Sequence, residues 1–252
     1  MSKLNKNSSG YIFGFALVVI LVCGVLLSVV SGALADKQYE ERELERKKFI
    51  LKAALGDEIA EITKPEISDM YAKRVKETVV NSKGETVEGV AANAVRLKNE
   101  YKKLEKNGSL KEGQSIQLPV YMVMDKDGAA VEYYVMPTYG FGLWDNIWGY
   151  VALQKDLNTI NGVVLDHKGE TPGLGARITE EKVQNRYRNG KKIFDDGKLV
   201  SVTMKKGEGN DYSDNPHAVD GLSGATLTAD GVNTMMSNYM NLYLSFINAN
   251  KN

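Results

Sequence analysis

From Tyr11 to Ala35 the chain carries no charged residue, and most positions are Leu, Val, Ile, Phe, Ala or Gly. About 20 apolar residues cross the hydrocarbon layer of a bilayer, so this stretch spans one with some tilt. Ala33-Leu34-Ala35 looks like a signal cleavage site, but a signal core runs only about 7–15 residues. The longer run predicts an uncleaved anchor. Bulky Val22 argues against lipid attachment at Cys23, where a small residue should precede. Residues 36–55 contain no Pro or Gly and are rich in Glu, Lys, Arg, Leu and Ala. They predict a helix continuing out of the span, broken by Gly56 and later by Pro65. Glu66 to Val80 predicts a second helical piece, with Ile67, Met70, Tyr71 and Val75 on one side. Ala91–Leu104 predicts a third.

Beyond Ser115 the period shortens. Ile116–Met124 and Ala129–Met136 flank Asp125-Lys126-Asp127-Gly128, a hairpin signal. Ile147–Leu153, Gly162–Asp166 and Leu199–Lys205 are further strand candidates, and Thr179–Arg188 predicts a short helix. After Gly231 the helical period returns, with Val232, Met236, Tyr239, Met240, Tyr243 and Ile247 on one face. That Met and Tyr stripe is core packing rather than a cofactor box. The pattern predicts an α+β protein, an N-terminal transmembrane helix followed by a soluble domain whose mainly antiparallel sheet is flanked by helices. It divides the chain into a tail at 1–10, an anchor at 11–35, a helical connector at 36–90 and a folded domain at 91–252.

Lys plus Arg and Asp plus Glu number 32 each, so no overall field favours nucleic acid. One cysteine, Cys23, excludes an internal disulfide and a Cys-ligated iron–sulfur or zinc site. With only His167 and His217, no metal centre is expected, and redox chemistry would need an organic cofactor. Lys3 and Lys6 precede the span while Lys37, Arg42, Arg46, Lys47 and Lys48 follow it. A basic-residue count would leave the C-terminal side in the cytoplasm, although long domains translocate largely regardless of charge.

Three segments rich in small residues carry the candidate chemistry: Tyr139–Tyr150 with Trp144 and Trp148, His167–Gly175, and Asp220-Gly-Leu-Ser223-Gly224-Ala225-Thr226. Glycines let a backbone approach a flat ligand, and Pro172 fixes the second loop. The third precedes a helix, where backbone N–H groups favour phosphate. From composition and spacing alone, two turns around a buried Trp pair and a Thr N-cap explain these segments at least as well. Gly221-Leu-Ser223-Gly-Ala225 approximates a nucleophile elbow, but Ala stands where Gly is wanted and both histidines precede Ser223.

These segments, in this order after one N-terminal span, resemble the C-type subunit of the sodium-translocating NADH:quinone oxidoreductase. The same flavin domain recurs in the G-type subunit of the Rnf electron-transport complex. Asp220–Thr226 matches the family's flavinylation pattern, and the resemblance implies a phosphoester between FMN and Thr226. Only motif register separates Thr226 from Thr228. The resemblance further implies that Asp220, Ser223, Gly224 and Ala225 shape the attachment turn. Glu170, Thr171, Gly173, Leu174 and Trp144 are implied to lie against the flavin, with no catalytic residue of the chain's own. A separate flavin transferase using FAD and a divalent metal would make the bond. The implied role is relay of single electrons toward the B-type subunit, within a complex that also holds A-, D-, E- and F-type subunits. Tail and domain would lie in the cytoplasm and periplasm, on either side of a bacterial inner membrane. The alternatives are an Rnf-type counterpart and a non-enzymatic membrane-anchored binding module, the latter colourless when purified.

Overall fold

The computed structural model describes residues 8–251, so the expected tail at 1–10, with Lys3 and Lys6, lies mostly outside the described residues. The first helix, α1, runs unbroken over Ser9–Leu55. Contacts divide the chain into two units, residues 1–45 and 46–252. In the first unit the described side chains of α1 are almost all exposed, and the helix is long and apolar enough to cross a membrane. Its uncharged stretch, Tyr11 to Ala35, rises about 37 Å, more than the hydrocarbon layer requires.

The second unit is built on a five-stranded antiparallel meander, β1 (Val75–Val80), β2 (Leu118–Met124), β3 (Val131–Phe141), β4 (Asn146–Gln154) and β5 (Ile160–His167), paired in chain order. Strands buried on both faces read as near-continuous apolar runs, and β2 is one. On one face Val120, Met136, Ile147 and Val151 pack beneath α5 (Thr226–Asn250). The stripe expected on that helix is core, since Val232, Met236, Tyr239, Met240, Tyr243 and Ile247 are all buried. Tyr243 Oη donates to the carbonyls of Pro119 (2.8 Å) and Pro137 (3.2 Å), fixing α5 across β2 and β3. The opposite face receives the last turns of α1. Arg46 lies over the rings of Tyr71 and Tyr121, Phe49 meets Tyr150 edge-on, and Asn161 donates to the Ala54 carbonyl.

Several local expectations are corrected. The 36–90 segment is not helical throughout. Pro65 opens the second helix, α2 (Lys64–Arg74), behind a Thr63–Glu66 capping box, because proline is tolerated in a first turn. That helix ends at Arg74, and Val75–Val80, rich in β-branched residues, leaves it to pair with β2. Ala91–Leu104 forms only a 3-10 turn and one short helix, α3 (Leu97–Tyr101). Thr179–Arg188 shrinks to a single turn, α4 (Glu181–Gln184), between 3-10 turns. Leu199–Lys205 is split into β7 (Lys198–Leu199), paired with β6 (Phe194–Asp195), and β8 (Thr203–Met204), which runs parallel to β9 (Ala218–Val219). Ser201 between them sits at φ 59°, where an extended strand cannot continue.

The last correction matters most for function. Helix α5 begins at Thr226, not after Gly231. Gly231 suggests a break, yet it lies inside the helix. A Cβ there would stand 2.5 Å from the Phe141 carbonyl oxygen, so glycine lets α5 lie directly on the end of β3.

Candidate functional site

The three small-residue segments converge at the start of α5, around one buried carboxylate. Glu170 follows β5 and is 4% exposed. Its Oε1 accepts from the Trp144 N–H (2.9 Å) in the β3–β4 loop, and its Oε2 accepts from the Thr228 hydroxyl (2.5 Å) in the first turn of α5. A Cβ on Gly175 would collide with Thr228 Oγ1 and fall 2.5 Å from Glu170 Oε2. The bareness of that glycine therefore serves protein packing. Burial works to raise the Glu170 carboxyl, but hydrogen bonds from Thr228 and from the N–H groups of Trp144, Asp145 and Leu143 outweigh it. The group is held below the usual carboxylate range, charged and fully engaged. Outside this knot, Lys168 Nζ meets Asp145 Oδ2 at 2.9 Å and ties the same two loops again.

What the knot leaves outside is apolar. Trp144 is 65% exposed and Leu227 60%, and Phe141, Leu143 and Leu174 are exposed on the same segments. A buried Trp pair is thus not what the first segment makes. Thr171, Pro172, Gly173 and Leu174 form an exposed turn in which the Thr171 carbonyl accepts from Leu174 and Ala176 N–H groups (3.1 Å each). Leu174 reaches the third segment, its Cδ2 lying 2.9 Å from where a Gly224 Cβ would stand.

Thr226 is the first residue of α5 and half-buried, and the N-cap is Ala225, which makes no side-chain cap bond. Thr226 therefore does not cap the helix, and the first-turn N–H groups receive no side-chain acceptor at the cap. Thr228, two residues on, is 1% exposed with its hydroxyl on Glu170. Sequence separates these threonines only by motif register, whereas burial separates them physically: Thr226 keeps part of its surface open, and the Thr228 hydroxyl is buried and spent on Glu170. Asp220 is engaged with the neighbouring loop. Its carboxylate accepts from the N–H groups of Gly209 (2.7 Å) and Asn210 (3.2 Å). Ser223 and Gly224 have exposed or small surfaces at the turn, and the Ser223 N–H donates to Glu208 Oε2 at 3.2 Å.

Glu208, Arg177 and Arg186 carry no motif, and sequence does not single them out. Arg177 binds both oxygens of Glu208 (2.8 and 2.7 Å), and Arg186 Nη2 meets Glu208 Oε1 at 2.8 Å. Hydrogen bonds from both arginines hold the Glu208 carboxyl far below the usual range. Only the fold brings these residues together, so no local spacing could have found them.

An uncapped helix start beside a reachable hydroxyl suits a phosphate, and the exposed Trp and Leu side chains around it suit a flat aromatic ring. The chain is of the flavin-binding class: the family described as FMN-binding domain matches residues 142–241, which takes in the second and third segments whole and the first from Gly142 onward. Among relatives, the C-type subunit of the Na(+)-translocating NADH-quinone reductase of Haemophilus ducreyi is 33% identical over 240 residues, covering 92% of this chain and 90% of its own. Its counterpart from Neisseria meningitidis serogroup A is 31% identical, covering 98% and 96%. The crystal structure of the Parabacteroides distasonis counterpart superposes with a TM-score of 0.69 at 32% identity, over 85% of this chain and 96% of that one. That of Shewanella oneidensis NqrC gives the same score at 30% identity, over 82% and 96%. The chain belongs to this C-type family of Na(+)-translocating NADH-quinone reductase subunits, and is thus a membrane-anchored part of an oxidoreductase complex.

Proposed function

We propose that this chain holds FMN as a phosphoester on Thr226 Oγ1 and relays single electrons toward the B-type subunit of its complex, from the periplasmic side of a bacterial inner membrane. One observation carries the reading. Of the two threonines at the start of α5, Thr226 is only half-buried and lies beside uncapped helix N–H groups, while Thr228 is buried with its hydroxyl on Glu170.

Bound flavin accepts and passes on one or two electrons, which lets it join one-electron and two-electron partners. The chain's own residues supply position and environment. The first-turn N–H groups of α5 would hold the phosphate, and the positive end of the 25-residue helix would favour its remaining charge. Trp144 and Leu174, exposed on the two loops gathered at that turn, would shield the ring from water, while Thr171 and Gly173 form the rim of the second loop. Glu170 holds the loops at fixed spacing and acts on the ring only through them. Among the described residues no base stands beside Thr226 to activate a poor nucleophile, which supports attachment by a separate flavin transferase using FAD and a divalent metal. NADH oxidation and quinone reduction then belong to other subunits.

The test is in-gel flavin fluorescence after denaturation, from chain co-expressed with the transferase. The signal is expected in wild type and in Thr228→Val and absent in Thr226→Val. Fluorescence retained by Thr226→Val would overturn the assignment.

A further inference from the structure

The attachment turn does not stand alone. Strands β8 and β9 are parallel, with Thr203 opposite Ala218 and Met204 opposite Val219, so the chain leaves both in the same direction. The segments that follow, 205–210 and 220–223, consequently run on side by side. They are very close: a Cβ on Gly221 would overlap the Lys205 carbonyl oxygen and would lie 2.5 Å from that of Gly207.

Two carboxylates cross this seam in opposite directions. Asp220, on the turn, accepts from the N–H groups of Gly209 and Asn210 on the loop. Glu208, on the loop, accepts from the Ser223 N–H on the turn. Arg186 sits across both, donating from Nη1 to the carbonyls of Asp220 and Gly221 and from Nη2 to Glu208. Arg177 completes the arrangement from just beyond Gly173-Leu174-Gly175, binding Glu208 through both nitrogens of its fork. Glu208 thereby receives donors from three separate segments, none of them Thr226 itself. Charge-assisted, bidentate bonds of this kind fix orientation as well as adding energy.

We infer that Glu208 and Arg186 are positioning residues for modification of Thr226, holding the Ser223–Ala225 turn in the shape that the flavin transferase must grasp. The inference rests on the reading of Thr226 as the attachment residue. In the transfer, the Thr226 Oγ–phosphorus bond forms as the pyrophosphate P–O bond of FAD breaks. The hydroxyl proton passes to solvent, AMP leaves with the bridging oxygen of the pyrophosphate, and no electron is exchanged. A turn that is well shaped in only a fraction of molecules lowers the apparent affinity for whatever binds that shape, in proportion to the fraction. On this account the motif Asp is required inside the chain, to complete the seam, and needs no contact with the transferase.

The experiment uses the full chain in detergent with purified flavin transferase, FAD and Mg²⁺, and follows FMN incorporation by intact mass over a range of chain concentrations. Folded chain is matched beforehand by circular dichroism. Glu208→Gln removes the charge at constant size and is expected to raise KM for the chain about tenfold with kcat little changed. Arg186→Lys keeps the charge but cannot reach carbonyl and carboxylate together, so an intermediate rise is expected. Glu132→Gln breaks a comparable ion pair with Arg74 (2.8 Å) elsewhere on the body and should leave both constants alone. A purely structural role for Glu208 would lower thermal stability and leave KM per folded molecule unmoved. Wild-type KM in Glu208→Gln, or in Arg186→Lys should the first variant fail to fold, would overturn the inference. Wild-type chain that gains no FMN, or gains it at another residue by peptide mass, would overturn the reading beneath it as well.

Discussion

Replacing Thr228 by valine tests the central knot with one atom. Valine matches threonine in shape, so the change removes the hydroxyl from Glu170 Oε2 and opens almost no cavity. The lost bond is short at 2.5 Å, and neither partner has water to turn to, since Thr228 is 1% and Glu170 4% exposed. Hydrogen bonds to a charged group contribute about 1.5–3 kcal/mol, and a buried acceptor left short of donors falls toward the upper end. For a body of this size each kcal/mol moves Tm by about 2–4 °C, so a drop of about 3–12 °C is expected at neutral pH. Circular dichroism melts of the full chain in detergent would measure it. The pH dependence adds a second check. Glu170 is depressed in the folded chain, so its contribution is present above the ordinary carboxylate pKa and is lost as pH falls through the folded value. Without the Thr228 donor that depression weakens, and the gap between variant and wild type should narrow as the solution is acidified below about pH 4.5. Equal Tm values at pH 7 would refute the knot. A gap that widened in acid would refute the charged state assigned to Glu170.

Gly175→Ala should destabilise by about 1–3 kcal/mol, because its Cβ collides with both partners of that knot; chemical denaturation would read the change. Trp144→Ala, at an exposed position, should alter stability by less than about 0.5 kcal/mol. If flavin is attached as proposed, the same variant should shift its absorption and change its fluorescence yield, because the ring would lose a neighbour; an unchanged spectrum would remove Trp144 from the site. Wild-type stability should fall on acidification, since Glu170 and Glu208 are both depressed and both lose their contribution as they are protonated. Tm measured from about pH 7 to about pH 3 would check this.

The sequence announces what periodicity and continuity carry. The uncharged run predicts the anchor, the Asp125–Gly128 turn locates the first hairpin, and the Met and Tyr stripe marks the buried face of α5. Period alone misleads where tertiary partners decide. Val75–Val80 has residues at helical spacing, yet its β-branched side chains and the pairing edge of β2 make it a strand. Gly231 reads as a break, yet the carbonyl of Phe141 pressing on it makes it a contact point within the helix. At the site, the motif places Thr226, Glu170, Leu174 and Trp144 near one another, and the fold does bring their segments together. The motif ranks Thr226 over Thr228 by register alone, because the physical distinction between them is one of burial. It could not find Glu208 or Arg186, whose partners lie 15 to 35 residues away and meet them only across the β8–β9 seam.

Helix α5 carries Thr226, the proposed attachment residue, at its first position, lays a buried stripe on the sheet and is secured by Tyr243 to two strands. A prosthetic group moored on that post, as proposed, would have no soft joint behind it; its freedom would be confined to the few single bonds of the tether itself. Partners would therefore have to come to it. Substitutions far down the post, at Tyr239 or Met240, would be felt at its tip as lost registry before they were felt as lost chemistry.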